Sequence, residues 1–216
     1  MAARLRAAGY PVVVPDNPLR TISGDAAAIS RFLHGVSGPI VLVGHSYGGM
    51  VITNAALYNP HVKALVYIAA AAPDQSETAL GLIARSPGSL LPAALLPAPF
   101  IGPDRRLGIN TTINPLLFRA VFAQDVPSRT AREMAATQHP ATLASGAGKS
   151  GIPAWRSIPS WYMVARNDRI IPPAVERFMA RRANAATIEI ASSHAAHAAH
   201  PAEVANVVLT AAQSTR

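Results

Sequence analysis

The residues Gly44-His45-Ser46-Tyr47-Gly48-Gly49 place a serine at the centre of a Gly-x-Ser-x-Gly pattern. An apolar strand-like run, 39–43, precedes it and a helix-like stretch, 50–58, follows. Strand, Gly-flanked serine and helix in that order are the signature of a nucleophile elbow, a turn that lifts the serine hydroxyl clear of the backbone. The turn is so tight that Gly44 and Gly48 are expected to admit close approach of neighbouring backbone, with Ser46 held in a strained conformation. The serine also sits at a helix N-terminus, where free N–H groups and the helix dipole favour developing negative charge. The backbone N–H of Tyr47 is therefore the expected oxyanion donor.

A serine hydroxyl is a weak nucleophile near neutral pH. It needs a base to take its proton, and that base needs a partner to fix its tautomer. Behind an elbow these follow in the order Ser, acid, His. The run 161–165 leads into Arg166-Asn167-Asp168, then Arg169-Ile170-Ile171-Pro172-Pro173 and a helical pattern. Asp168 is thus an acid in the loop after a buried strand, where open α/β sheets carry their functional groups. Capping the next helix and pairing with Arg169 are its alternative uses. The run 187–191 ends in Ser192-Ser193-His194, so His194 is the expected base. His197, His200 and Glu203 continue at intervals of three, which raises the question of a zinc site. Residues three apart turn by roughly 300° on a helix, so the cluster winds around it, and Pro201 interrupts the segment. No metal is expected; His197 is expected to line a pocket and His200 to cap a helix or face solvent. Acyl transfer through Ser46, His194 and Asp168 calls for no cofactor.

The elements that must position these groups are legible as alternating runs. Val12-Val13-Val14 and the stretches 40–43, 64–69, 161–164 and 187–190 are short apolar runs bounded by Pro, Gly or Asn, as buried strands are. Between them, Ile29, Phe32, Leu33 and Val36 follow helical spacing behind Thr21 or Ser23 as N-cap. Val175, Phe178 and Met179 do so behind Pro172-Pro173, and Val204, Val207, Val208 and Ala211 behind Pro201. Buried strands alternating with amphipathic helices predict an α/β fold, a mostly parallel sheet with helices on both faces. Residues 73–160 break the rhythm: prolines punctuate helical fragments at 78–85, 116–124 and 129–138, and no convincing strand is visible. This stretch is expected to be a helical cap or lid over the sheet edge, because structureless loops of such length are uncommon. The division is then a core of 1–72 and 161–216 with an insertion of 73–160.

GHSYGG, ARNDRIIPP and SSHAAHAAHPAEVANVV together resemble the α/β-hydrolase superfamily, in its branch of small serine esterases with a helical cap. MAATQHP and PAWRSIPSWYMVA resemble bacterial carboxylesterase-like hydrolases related to plant methylesterases and hydroxynitrile lyases. The resemblance covers essentially the whole chain. It implies Ser46 as nucleophile, Asp168 as acid, His194 as base and the Tyr47 N–H as one oxyanion donor. It also implies an N-terminally truncated form, because the chain begins in the helix that follows the superfamily's first strands. The loop supplying the second oxyanion N–H would be missing, and strand 40–43 would lack a neighbour on one side. Such an open edge invites self-association.

Composition limits the rivals. At 216 residues, 50% hydrophobic and 14% charged, the chain has the size of one domain with an insertion and enough apolar residues for a core. It has no cysteine, which removes disulfides, thiolate nucleophiles and Cys-ligated metals. The net charge of +8 comes from Arg spread along the chain, with no run longer than Arg105-Arg106 or Arg181-Arg182, so no nucleic-acid partner is expected. The longest apolar run, 64–72, falls far short of the ~20 residues of a membrane-spanning helix. No apolar signal-peptide core follows the N-terminal arginines, so a cytoplasmic location is expected. The partner expected is a small-molecule ester. The alternatives are a non-catalytic hydrolase-like protein and, below it, a cofactor-free perhydrolase or a hydroxynitrile lyase. The last relies on a cap-side lysine, and only Lys63 and Lys149 are available.

Overall fold

The structure, a computed structural model, describes residues 1–102 and 105–215; Pro103, one of the prolines punctuating the insertion, lies outside the described residues. Among the described residues there are seven strands: β1 (Ile40–Ser46), β2 (Val62–Ala70), β3 (Leu95–Ile101), β4 (Leu107–Ile113), β5 (Ala141–Thr142), β6 (Ser160–Ala165) and β7 (Ala186–Ile190). Four of them form a parallel sheet in the order β1-β2-β6-β7.

Alternation along β2 explains why the sheet is covered on both faces. Ala64, Val66 and Ile68 pack against Leu5 of the helix Ala2–Ala7 and against Val204, Val207, Val208 and Ala211 of the helix Pro201–Gln213. Leu65, Tyr67 and Ala70 point the other way, among residues of the helices Ile22–His34, Tyr47–Ala55 and Pro173–Arg182. With every residue except Lys63 buried, β2 reads as the continuous apolar run of a parallel core strand. The helix Ile22–His34 begins at Thr21, whose side chain accepts the Gly24 N–H; Ser23 lies inside the helix.

Two expectations are corrected. Val12-Val13-Val14 is not a strand, and Val13 and Val14 are 65% and 79% exposed. A β-rich run becomes a strand only beside a partner that completes its ladder. β1 ends the sheet order with β2 as its one partner among the described residues, so nothing brings the valines into the sheet.

The second correction concerns 73–160, which is not helical throughout. The helices Ala79–Ile83, Pro115–Phe122 and Ser128–Ala136 match the anticipated fragments. Between them β3, β4 and β5 form an antiparallel sheet, with β3 and β4 paired from Leu95↔Ile113 to Ile101↔Leu107. Pro97 and Pro99 argue against a strand in the sequence, but β3 is an edge strand. Prolines two apart lack their N–H on the same side, where an edge strand needs no partner. This sheet docks on the core through Arg20, whose guanidinium donates to Asn110 Oδ1 and to the Pro140 carbonyl, each at 2.7 Å.

Candidate active site

Ser46 ends β1 and caps the helix Tyr47–Ala55 with φ +54° and ψ −125°, a backbone conformation that a non-glycine residue adopts only under constraint. The constraint is visible at the glycines. A Cβ on Gly44 would stand 2.6 Å from the Gly48 carbonyl, and one on Gly49 would stand 2.5 Å from the Ala71 carbonyl oxygen. A Cβ on Gly48 would meet nothing within 4 Å. The sequence expectation is therefore corrected at Gly48. Its backbone is what approaches Gly44, and the second position that must lack a side chain is Gly49, where the new helix lies against the end of β2. The turn is fastened by the Ala71 N–H, which donates to the Ser46 carbonyl at 3.0 Å.

Three side chains distant in sequence converge here. Ser46 Oγ lies 2.7 Å from His194 Nε2, and His194 Nδ1 lies 2.5 Å from Asp168 Oδ2. With Asp168 as the acceptor, Nδ1 carries the proton and Nε2 is free to accept from the serine hydroxyl. Asp168 follows β6, and its Oδ1 accepts the N–H groups of Ile170 (2.6 Å) and Ile171 (2.9 Å). It thus caps the approach to the next helix as well as holding His194, uniting two uses that the sequence leaves as alternatives. His194 follows β7 and is fully buried. The Tyr47 backbone N–H lies at the start of the helix behind Ser46, while its side chain turns away to donate to Asp25 Oδ2 at 2.8 Å.

Ser46 opens into a cavity of about 580 Å³ between the sheet and the insertion, a volume suited to a small organic molecule. Its apolar walls include Leu80, Ile83, Leu95, Phe118, Phe122 and Met134. Of the insertion's apolar residues, Leu90, Leu96, Leu116 and Leu117 are exposed instead. Neither Lys63 nor Lys149 lines the cavity; both are exposed.

The three histidines of the C-terminal segment go separate ways. His197 does line the cavity, with its ring 4.4 Å from that of His45. Burial, and then the neighbouring His194, lower it to a pKa of about 4, so it is a neutral imidazole. His200 holds the N-cap position of Pro201–Gln213 without a capping bond, and its ring lies 3.6 Å from Asp125 and 3.7 Å from Glu203. It is thus neither a cap nor fully solvated.

A family model described as the alpha/beta hydrolase family matches residues 1–207. The chain belongs to this family. Within this alpha/beta hydrolase, 142 residues are 33% identical to a carbendazim hydrolyzing esterase of Nocardioides sp. (strain SG-4G), a match covering 56% of this chain and 55% of that protein. The matched stretch is therefore about half the length of each. The fold is similar to that of polyneuridine aldehyde esterase, with a TM-score of 0.82 at 17% identity over 98% of this chain and 91% of that one. It is also similar to a pyrethroid hydrolase from Sphingobium faniae JZ-2, with a TM-score of 0.76 at 21% identity over 99% and 90%. No helix among the described residues is long and apolar enough to cross a membrane.

Sequence reasoning missed the residues that hold the site from outside it. His45 is half-buried, and its Nε2 donates to the His194 carbonyl at 2.8 Å. Burial, and the nearby His197 and His194, push its pKa down, so it holds this bond as a neutral ring. Asp125 accepts the Ser193 N–H at 2.7 Å, and the Phe122 carbonyl accepts the Ala195 N–H at 3.0 Å, clamping His194 from both sides. Gln124 donates to the Asn167 carbonyl at 2.6 Å and Arg169 to the Ala120 carbonyl at 2.9 Å, tying the Asp168 loop to the same segment. No local pattern marks these contacts. The position of His45 beside the serine was the one available signal.

Proposed function

We propose that the chain hydrolyses small carboxylic esters with apolar or aryl groups through a covalent acyl-enzyme. The observation that carries this reading is the hydrogen-bonded series Ser46 Oγ, His194 Nε2, His194 Nδ1, Asp168 Oδ2, at 2.7 and 2.5 Å, opening on an apolar cavity. Ser46 Oγ attacks the ester carbonyl carbon while His194 Nε2 takes its proton. The carbonyl oxygen, now anionic, accepts from the Tyr47 N–H at the helix N-terminus. Asp168 keeps the imidazole in the required tautomer and stabilises the imidazolium. The C–O bond to the alcohol breaks as His194 returns the proton to it, and the alcohol leaves. Water, deprotonated by the same His194, then attacks the acyl group and releases the acid and Ser46. The relatives named as esterases support the same reaction class.

The test compares the chain with its Ser46→Ala variant on p-nitrophenyl butyrate, alongside labelling by a serine-reactive fluorophosphonate. Turnover and labelling in the parent, both lost in the variant, are expected. A parent that neither turns over nor labels indicates a non-catalytic hydrolase-like protein, and turnover retained by Ser46→Ala removes the serine mechanism. Because neither lysine lines the cavity, cyanide release from mandelonitrile is not expected.

A further inference from the structure

Beside Asp168 lies a second carboxyl group. Glu176 belongs to the first turn of the helix Pro173–Arg182 and is fully buried. Its Oε2 accepts the Ala165 N–H at 3.0 Å, while Oε1 meets no N–H or O–H donor. Glu176 and Asp168 are held on the same residue: the Ala165 N–H donates to Glu176 while the Ala165 carbonyl accepts the Asp168 N–H at 3.1 Å, which makes the two carboxyl groups neighbours. Two buried carboxyls so close do not both ionise; one keeps a proton and gives it to the other as a hydrogen bond. The count of donors decides which. Asp168 receives three N–H groups, from Ile170, Ile171 and His194, whereas Glu176 receives one. The better-solvated anion is therefore Asp168.

We propose that Glu176 is a neutral carboxylic acid that donates its proton to Asp168, fills the last of that carboxylate's roughly four acceptor positions, and so positions it against His194. The groups around Glu176 agree with this. Tyr67 on β2 and Tyr162 on β6 are neutral phenols, the latter donating to the Ala70 carbonyl. On its own helix Arg177 is turned outward, its guanidinium held by Glu189 at 2.8 and 2.7 Å. On the Asp168 loop Arg169 donates to the Ala120 carbonyl at 2.9 Å, and Asp168 itself meets His194. Burial first, and Asp168 second, push the Glu176 carboxyl well above the ordinary carboxylate range, outweighing the Ala165 N–H and Arg177. Glu176 touches no reacting atom; it acts through Asp168.

The proposal rests on Asp168 being the acid that orients His194, and its test separates the two. Glu176→Gln keeps a donor without a titratable proton, and Glu176→Leu removes it. For p-nitrophenyl butyrate, Glu176→Gln is expected to hold kcat/KM within about 2-fold, with the acidic limb of its pH profile unmoved. Glu176→Leu is expected to lower kcat about 10-fold with KM little changed, and to move the acidic limb to higher pH, because the undivided Asp168 charge then favours the imidazolium. A Gln variant whose acidic limb falls by about one pH unit would mean that a negative charge had been removed, which overturns the proposal. So does a stable Leu variant with the limb unmoved. If the Leu variant does not fold, the Gln profile and an infrared measurement decide. The resting protein should show a protonated-carboxyl C=O band at neutral pH that Glu176→Gln removes, and its absence overturns the proposal. That band is read without turnover, so a protein without esterase activity would refute the proposed function while still deciding the state of Glu176.

Discussion

The parallel sheet and the insertion solve different problems with different materials. In the sheet, β2 is buried on both faces and every strand lies parallel to its neighbour, so the ends of β1, β6 and β7 are fixed relative to one another. Those three ends, with the loops behind them, carry Ser46, Asp168 and His194. The insertion's β3 and β4 leave much of their apolar surface in solvent; Ile101 is 68% and Leu107 71% exposed. Yet the segment 120–125, also of the insertion, bonds to both the Asp168 and His194 loops. The difference is between a scaffold that sets distances to tenths of an ångström and an appendage that walls the cavity and tightens two loops. A functional constellation on rigid elements still depends on supporting contacts for its final precision.

The comparison is broken most severely at the acid. Asp168→Asn preserves shape but reverses the hydrogen bond to Nδ1 and favours the wrong imidazole tautomer. It is expected to lower kcat by on the order of 10⁴ with the fold retained, measured on p-nitrophenyl butyrate with unfolding followed in parallel. Packing contrasts next. Leu65→Ala, in the fully buried strand, is expected to cost about 3 kcal/mol in urea unfolding, whereas Leu107→Ala in β4 should stay within about 0.5 kcal/mol. Equal costs would mean that the insertion is as tightly packed as the sheet.

The elbow gives a finer distinction. Gly49→Ala drives a methyl against the Ala71 carbonyl and should destabilise by about 2 kcal/mol, while Gly48→Ala, with open space around it, should change stability by less than about 0.5 kcal/mol. Two thermal melts suffice to check this.

The smallest effect tests the clamp. Burial works against the Asp125 carboxylate, but the Ser193 and Ser192 donors and backbone N–H groups outweigh it and lower its pKa. A group depressed in the folded state stabilises above its unfolded pKa, near ~3.9, and that contribution is lost as pH falls through the folded value. Asp125→Ala should therefore cost about 1 kcal/mol at pH 7, with the difference from the parent vanishing in strongly acidic solution, and should lower kcat more than it raises KM. A cost that persists undiminished in acid would show that the Asp125 charge is not what holds the Ser193 loop.

Much of the site was legible because its parts are marked locally. Ser46 is set by glycines within three residues of it, Asp168 and His194 by the ends of apolar runs, and the helices by their spacing and caps. What escaped was whatever depends on a partner far away. Pro97 and Pro99 look like strand breakers until β3 is found at an edge, and Val12-Val13-Val14 looks like a strand until no partner is found for it. Glu176 and Asp125 look like ordinary helix and loop acids, because neither the burial of the first nor the distant Ser193 N–H that meets the second is written in local sequence.

By itself the sequence determined the alternation of strand and helix around 40–70 and 160–213, the elbow and the three residues that converge on it, since periodicity, tight turns and chain order are properties of neighbours along the chain. The tertiary structure alone decided which glycine has to be bare, which apolar run enters the sheet, how the insertion divides between helix and strand, and which carboxyl group stands beside Asp168. Each of those depends on whether a second surface is present to exclude water or complete a hydrogen bond, and only the folded chain supplies that surface.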